Sequence, residues 1–234
     1  MTTQSVKCKI GSSNLVRNFS DTATDSQVFT GNNLLDDNAN QNLGILIPGV
    51  VVDQVQMTYT AGLAQWRIID AITQKTQRRG FASKTGYVCP METKIQPYQI
   101  KKSDLLQVFP KAVNATAGDT EVMAWLVTNG GTESFSCTTS ADSTATAMTN
   151  SITGQTLGDW CFGQTLQKIA IQCEDGAFLS EVRVLDQTGS NIWSSFGGQR
   201  LPTAGGKSTH TNLEVECNIP VMKGYAIQVL TVTA

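Results

Sequence analysis

Apolar residues recur at every second position through much of the chain, and Gly, Asn, Asp or Pro closes most of those runs. A period of two puts alternate side chains on opposite faces of an extended strand, which commits the chain to sheets with one dry and one wet face. Val55, Met57 and Tyr59 alternate with Gln56, Thr58 and Thr60; Ile169, Ile171 and Cys173 share a face; Leu213, Val215 and Cys217 alternate with Glu214 and Glu216. These are expected half-buried strands. Residues 122–128 are apolar on both faces, as are 226–232 apart from their Gln and Thr residues, which predicts central strands. In residues 63–76 the spacing of Leu63, Trp66, Ile69 and Ile72 fits a helix, while 66–72 fits a buried strand equally well. Residues 21–42 read as an extended arm or long loop, and the Ser/Thr/Ala/Gly-dominated 136–158 as a connection or surface excursion.

Sliding the chain on itself by 116 positions (171 − 55 and 183 − 67) lays Val55-Gln56-Met57 on Ile171-Gln172-Cys173 and Arg67-Ile68-Ile69-Asp70 on Arg183-Val184-Leu185-Asp186. More loosely, Leu106-Gln107-Val108-Phe109-Pro110 and Glu216-Cys217-Asn218-Ile219-Pro220 are both extended runs that end at a proline. The shift predicts a duplicated β module; one large sandwich with look-alike strands is the alternative. A chain of 234 residues has room for either. The duplication places an N-terminal arm and first module in residues 1–130, and a connecting segment and second module in 131–234.

Charged residues make up 15% of the chain and the formal net charge is −2, so the surface is rich in hydroxyls and amides. That balance argues against a protein that grips nucleic acid through its phosphates. Two short basic clusters, Lys75/Arg78/Arg79 and Lys101/Lys102, read as solvated loop or edge charges. No apolar run is long enough to span a bilayer, and the first residues lack the apolar core of a secretion signal, so a soluble, cytoplasmically made protein is expected. Cys8, Cys89, Cys137, Cys161, Cys173 and Cys217 form no C-x-x-C pair and are expected to act as small apolar residues.

No catalytic, cofactor-binding or metal-binding set emerges. Gly205-Gly206-Lys207-Ser208-Thr209 ends like a phosphate-binding loop, but Leu201 stands where that motif needs its first glycine, and a strand-like run follows instead of a helix. His210 is the only histidine and no nucleophile motif accompanies it. Glu214 and Glu216, two apart on one strand, read as a solvated or subunit-facing pair rather than a glycosidase dyad. Asp36-Asp37-Asn38 does not have EF-hand spacing, and Glu174-Asp175-Gly176 reads as a hairpin tip. Trp66, Trp125, Trp160 and Trp193 are spread through both halves and read as core or interface residues. An enzyme is not expected.

In layout the chain resembles the double jelly-roll major capsid proteins of tailless, membrane-containing icosahedral bacteriophages, the corticovirus and tectivirus types and their small single-stranded-DNA relatives. The segments most similar are 49–70 and 164–186, each a strand, a turn and a second strand bearing Arg-apolar-apolar-Asp. The resemblance implies an all-β chain of two eight-stranded sandwiches in tandem with long loops. It implies trimers that form pseudo-hexagonal capsomers of a virion shell, and residues 1–19 as an arm toward an internal membrane or adjoining capsomers. Its implied partners are the chain itself, penton or minor capsid proteins and that membrane, with no sequence-specific nucleic acid and no cofactor. The chain is short for the family, which argues against large outer towers. A capsid decoration protein of a tailed phage and a carbohydrate- or receptor-binding β module are the rival readings.

Overall fold

Residues 55–59 and 169–173, the most regular alternating runs, lie in two nine-residue strands that the rest of the chain surrounds in the same way. A computed structural model of the chain describes residues 3–12, 15–24, 32–59, 63–84, 93–111, 119–140, 144–173, 177–196 and 212–233, and shows two units, Met1–Val113 and Asn114–Ala234. The described residues are all-β apart from two four-residue helical turns, with their sheets almost wholly antiparallel. Each unit has its own buried apolar cluster.

The first unit contains β1 (Thr3–Ser12), β2 (Leu15–Thr24), β3 (Asn32–Asn33), β4 (Leu35–Asp36), α1 (Leu43–Leu46), β5 (Val51–Tyr59), β6 (Leu63–Asp70), β7 (Thr76–Phe81), β8 (Ser83–Lys84), β9 (Thr93–Gln99) and β10 (Asp104–Lys111). One sheet runs β4-β2-β1-β5, with β8 and β9 both on the far side of β5, and the other runs β3-β10-β6-β7. The second unit contains β11 (Thr120–Thr128), β12 (Thr132–Thr139), β13 (Thr146–Asn150), α2 (Leu157–Trp160), β14 (Thr165–Cys173), β15 (Ala177–Leu185), β16 (Asn191–Phe196), β17 (Asn212–Pro220) and β18 (Ala226–Thr233). Its order is β16-β15-β18-β13-β12-β11-β14-β17.

These two orders are the same path. With β3 and β4 taken as two halves of one crossing segment, the first unit reads β7-β6-β10-(β3/β4)-β2-β1-β5-β9, position for position the order of the second. In the second unit β13 pairs with β18 through residues 146–148 and with β12 through Thr149 and Asn150. In the first, β3 pairs with β10 and β4 with β2.

Local chemistry repeats with the path. Asp36 and Asn150 end the crossing segments, and each Oδ1 accepts backbone N–H groups two and three residues on. Asp70 and Asp186 end β6 and β15 in similar turns, accepting from Ile72 and Thr73 and from Thr188 and Ser190. Short polar side chains that bond their own backbone stop strands for this reason. The turns are completed by positive φ at Asn40, Gln74, Gly154 and Gly189. The arginine of the repeated Arg-apolar-apolar-Asp run faces a glutamine across the sheet: Arg67 Nε donates to Gln107 Oε1 at 2.9 Å, and Arg183 Nε to Gln228 Oε1 at 3.1 Å.

Several expectations change. Residues 63–76 hold a strand, β6, in which Trp66, Ile68 and Ile69 are buried; Ile72, which a helix would bury beside them, stands 82% exposed in the following turn. Residues 3–12 and 15–24 are no arm, since β1 and β2 pair along their length and bury Cys8, Ile10 and Phe19 in the core. Residues 136–158 are no loose connection, because they carry the end of β12, then β13 and α2. The division falls at Val113/Asn114 rather than at residue 130, which would separate β11 from its hairpin partner β12.

The 116-residue shift holds for β6 and β15, where Arg67 matches Arg183 and Asp70 matches Asp186. It slips by two in β5 and β14. Both strands carry a bulge, between Val52 and Gln54 and between Leu166 and Lys168, which fixes an offset of 114 (166 − 52). Val55 therefore matches Ile169, and Met57 matches Ile171. A slip of two keeps every side chain on its face, so periodicity alone does not reveal it. The proline-ended runs are not counterparts either: β10 occupies the place of β18, and β17 that of β9.

The helical turns lock against the neighbouring turn through glycine. A Cβ on Gly44 would lie 2.5 Å from the Lys101 carbonyl oxygen and 2.8 Å from the Asp104 nitrogen; one on Gly158 would lie 2.6 Å from the Met222 oxygen and the Tyr225 nitrogen. Backbone gives way less readily than a side chain. Gly44→Ala and Gly158→Ala are each expected to cost about 1–3 kcal/mol in urea unfolding. Gly131→Ala, where a Cβ meets nothing within 4 Å, should change stability by less than about 0.5 kcal/mol.

Candidate functional site

At one end of each unit three turns meet. In the first, Gly44 packs on the β9–β10 turn, and Ala71 of the β6–β7 turn donates its N–H to the Ser103 carbonyl. In the second, Gly158 N–H donates to the Tyr225 carbonyl and Gly163 N–H to that of Val221. These ends expose apolar side chains: Ile45 and Ile72 in the first unit, Ile152, Phe162 and Met222 in the second.

The first unit's turn end also holds a buried polar cluster. Asp104 is fully buried, and its Oδ2 accepts the Lys101 N–H at 2.7 Å. The Arg78 guanidinium lies 4.9 Å from the centre of the Tyr98 ring, with Nε and Nη2 donating to the carbonyls of Gln96 and Pro97. Burial, and after it the neighbouring Asp104 carboxylate, push the Tyr98 hydroxyl far above its ordinary range. Arg78 on β7 reaches β9 of the opposite sheet and closes that side of the unit. The matching positions in the second unit are Ile219 for Tyr98 and Tyr225 for Asp104 (both 121 residues on), and Trp193 for Arg78, so an uncharged indole packed on the core stands where the first unit has its guanidinium.

The residues singled out by sequence are scattered. Lys207, His210, Glu174, Asp175 and Cys89 lie outside the described residues. Glu214 and Glu216 sit on the exposed face of β17, and both reach Lys168 of β14, at 3.0 and 3.4 Å. The hydrogen bond to Glu214, then its charge, hold the Lys168 ammonium above its usual range. Asp36 spends its Oδ1 on backbone N–H groups and Asp37 accepts the Ser20 hydroxyl at 2.6 Å, so the two carboxylates turn to different partners.

Cys8, Cys137, Cys161 and Cys173 are buried free thiols and Cys217 is half-buried. Burial pushes Cys161 up to about 12 and Cys217 to about 11, far from the thiolate that reactivity needs. Trp66 and Trp125 are fully buried, while Trp160 and Trp193 pack partly exposed against the second unit's core. Among the described residues no group of three His, Cys, Asp or Glu side chains could hold a metal ion. No family model, curated protein or solved structure matches the chain.

The turn aspartates give a pH signature. The Ile72 N–H first, with Thr73 N–H and the Ser103 hydroxyl adding to it, lowers the Asp70 carboxyl below its ordinary value of 3.8; the Thr188 hydroxyl first, then the Ser190 N–H, lowers Asp186 likewise. A depressed carboxyl contributes stability that is complete above its unfolded value and is lost as pH falls through the folded one. Wild-type protein should therefore lose stability as pH drops from about 4 toward 2. Asp70→Asn/Asp186→Asn, whose amides can accept the same turn bonds as Asn150 does, should show a shallower acid limb in urea midpoints measured at pH 7, 4 and 2.5.

Proposed function

We propose that the chain is a shell-forming subunit, a major capsid protein of two tandem jelly rolls that assembles as pseudo-hexagonal trimers in an icosahedral virion. The observation that carries this reading is the eight-position strand path traced twice with the same crossing segment, the same turn acceptors and the same glycine-locked helical turn. From β2 onward the first unit visits its two sheets in the alternating sequence of a jelly roll, ending with β9 in one sheet and β10 in the other; β12–β18 do the same. β1 and β11 lie between the second and fourth strands of their units, where a jelly roll places its last strand. On this reading each module is a jelly roll closed by a strand supplied from its N-terminal side.

Surface chemistry supports the same reading. A subunit packed among many copies gains from low charge and from hydroxyl and amide groups able to hydrogen-bond across contacts. With 15% charged residues and a net charge of −2, identical copies repel one another little. Penton or minor capsid proteins and an internal membrane are the further partners of this proposal. Because 3–12 and 15–19 are built into the first unit's sheet, a membrane contact would involve other residues.

Negative-stain electron microscopy and analytical sedimentation of the purified chain test the reading. Trimers of pseudo-hexagonal outline that associate into lattices or particles are expected. Monodisperse monomers that never associate as concentration rises would overturn it, and so would a virion in which this chain is substoichiometric to another shell protein.

A further inference from the structure

Among the described residues, the strand paths of the two units end on β7 and, beside β5, on β9 and the two-residue β8 in the first, and on β16 and β17 in the second. A free edge offers unpaired backbone N–H and C=O groups to any passing strand, and proteins that stay monomeric blunt such edges with charge or proline. β7 carries Arg78 and Arg79, β9 carries Lys94 and Pro97, and β17 carries Glu214, Glu216 and Pro220. β16, Asn191-Ile192-Trp193-Ser194-Ser195-Phe196, carries neither charge nor proline. Its outer face presents Ile192 at 43% and Phe196 at 79% exposure, with exposed Ser194 between them, while Trp193 turns inward onto the core.

We propose that β16 is the contact through which two copies of this chain join, pairing antiparallel across a two-fold axis at Ser194. The charge pattern selects a second copy as the occupant. In that register Ile192 of each copy faces Phe196 of the other, giving two β-branched–aromatic cross-strand pairs and no like charges. The same operation on β17, centred at Val215, would set Glu214 against Glu216, and on β7, centred at Arg78 or Arg79, would set that arginine against its own copy; both arrangements repel. The two modules share a fold and differ here in edge chemistry: Arg78 ties β7 to β9 in the first, and the matching edge of the second is left neutral and apolar. This contact goes beyond the shell reading and does not depend on it.

Cysteine cross-linking tests the axis directly, since residues facing across antiparallel strands lie about 4.5–5.5 Å apart at Cα, within disulfide range. Ser194→Cys, in a chain with Cys89 and Cys217 replaced by Ser, should form a disulfide dimer as its main product under mild oxidation. Gln77→Cys on β7 in the same background should not. Ile192→Lys/Phe196→Lys, with an unchanged circular dichroism spectrum, should weaken dimerisation at least tenfold in sedimentation equilibrium. Cross-linking of Ser194→Cys no faster than Gln77→Cys, or a wild-type chain that sediments as a monomer at about 100 µM, would overturn the proposal. Particles whose Ser194→Cys subunits stay unlinked overturn the edge contact and leave the shell reading standing; linked dimers that never build particles do the reverse.

Discussion

Backbone pairing of one short segment to both sheets shapes each unit. A sandwich of two separate sheets has four free edges, and a segment that gives its first residues to one sheet and its last to the other joins two of them. Residues 32–36 do this in the first unit and 146–150 in the second. Having crossed, the chain must turn back, and the Asp36 and Asn150 side chains supply the acceptors for that turn. The helical turn that follows is held against the last hairpin's backbone at a distance only glycine allows. Crossing strand, side-chain-capped turn and glycine contact are successive consequences of closing the sheets on one side.

The other side is then where the two modules can differ. In the first, Arg78 bridges the remaining edges by donating to two carbonyls of the opposite sheet while stacking on Tyr98. A guanidinium suits this because its fixed fork meets two acceptors at once and its flat face lies on a ring. In the second, Ile219 and Tyr225 replace Tyr98 and Asp104, and Trp193, packed on the core, takes the place of Arg78. One module covers this side with a charged bridge and the other with an indole, which leaves β16 uncharged.

Much of this was legible in the sequence, and the misses have physical causes. Alternation located β5, β14 and β17, and two-faced apolarity located β11 and β18 as central strands, because burial of side chains decides both patterns. The Arg-apolar-apolar-Asp runs were found at their true offset, since the arginine and aspartate each have a fixed partner. The bulges that shift β5 against β14 by two leave side-chain parity intact and so left no trace in the period. Residues 136–158 look like a linker by composition, yet they carry the crossing strand, whose task is done by backbone and by Asn150. A sharper signal was present there: Gln41-x-Leu43-Gly44 recurs as Gln155-x-Leu157-Gly158, 114 positions on (158 − 44). It falls outside the 116-residue shift. No sequence signal marked Tyr98 and Asp104 as a pair, because they meet only through the register of their turn.

Among the described residues, many polar side chains serve the backbone that carries them. The chain's buried carboxylate faces a main-chain N–H, its half-exposed arginine reaches carbonyls, its turn aspartates hold amides, and burial keeps its described thiols protonated. Groups so committed fix the geometry of strand ends and turns. Beside them the described surface carries apolar tips on the turn ends and one end strand, β16, with neither charge nor proline. Where side chains are spent on holding backbone, the uncommitted backbone lies at the strand edges.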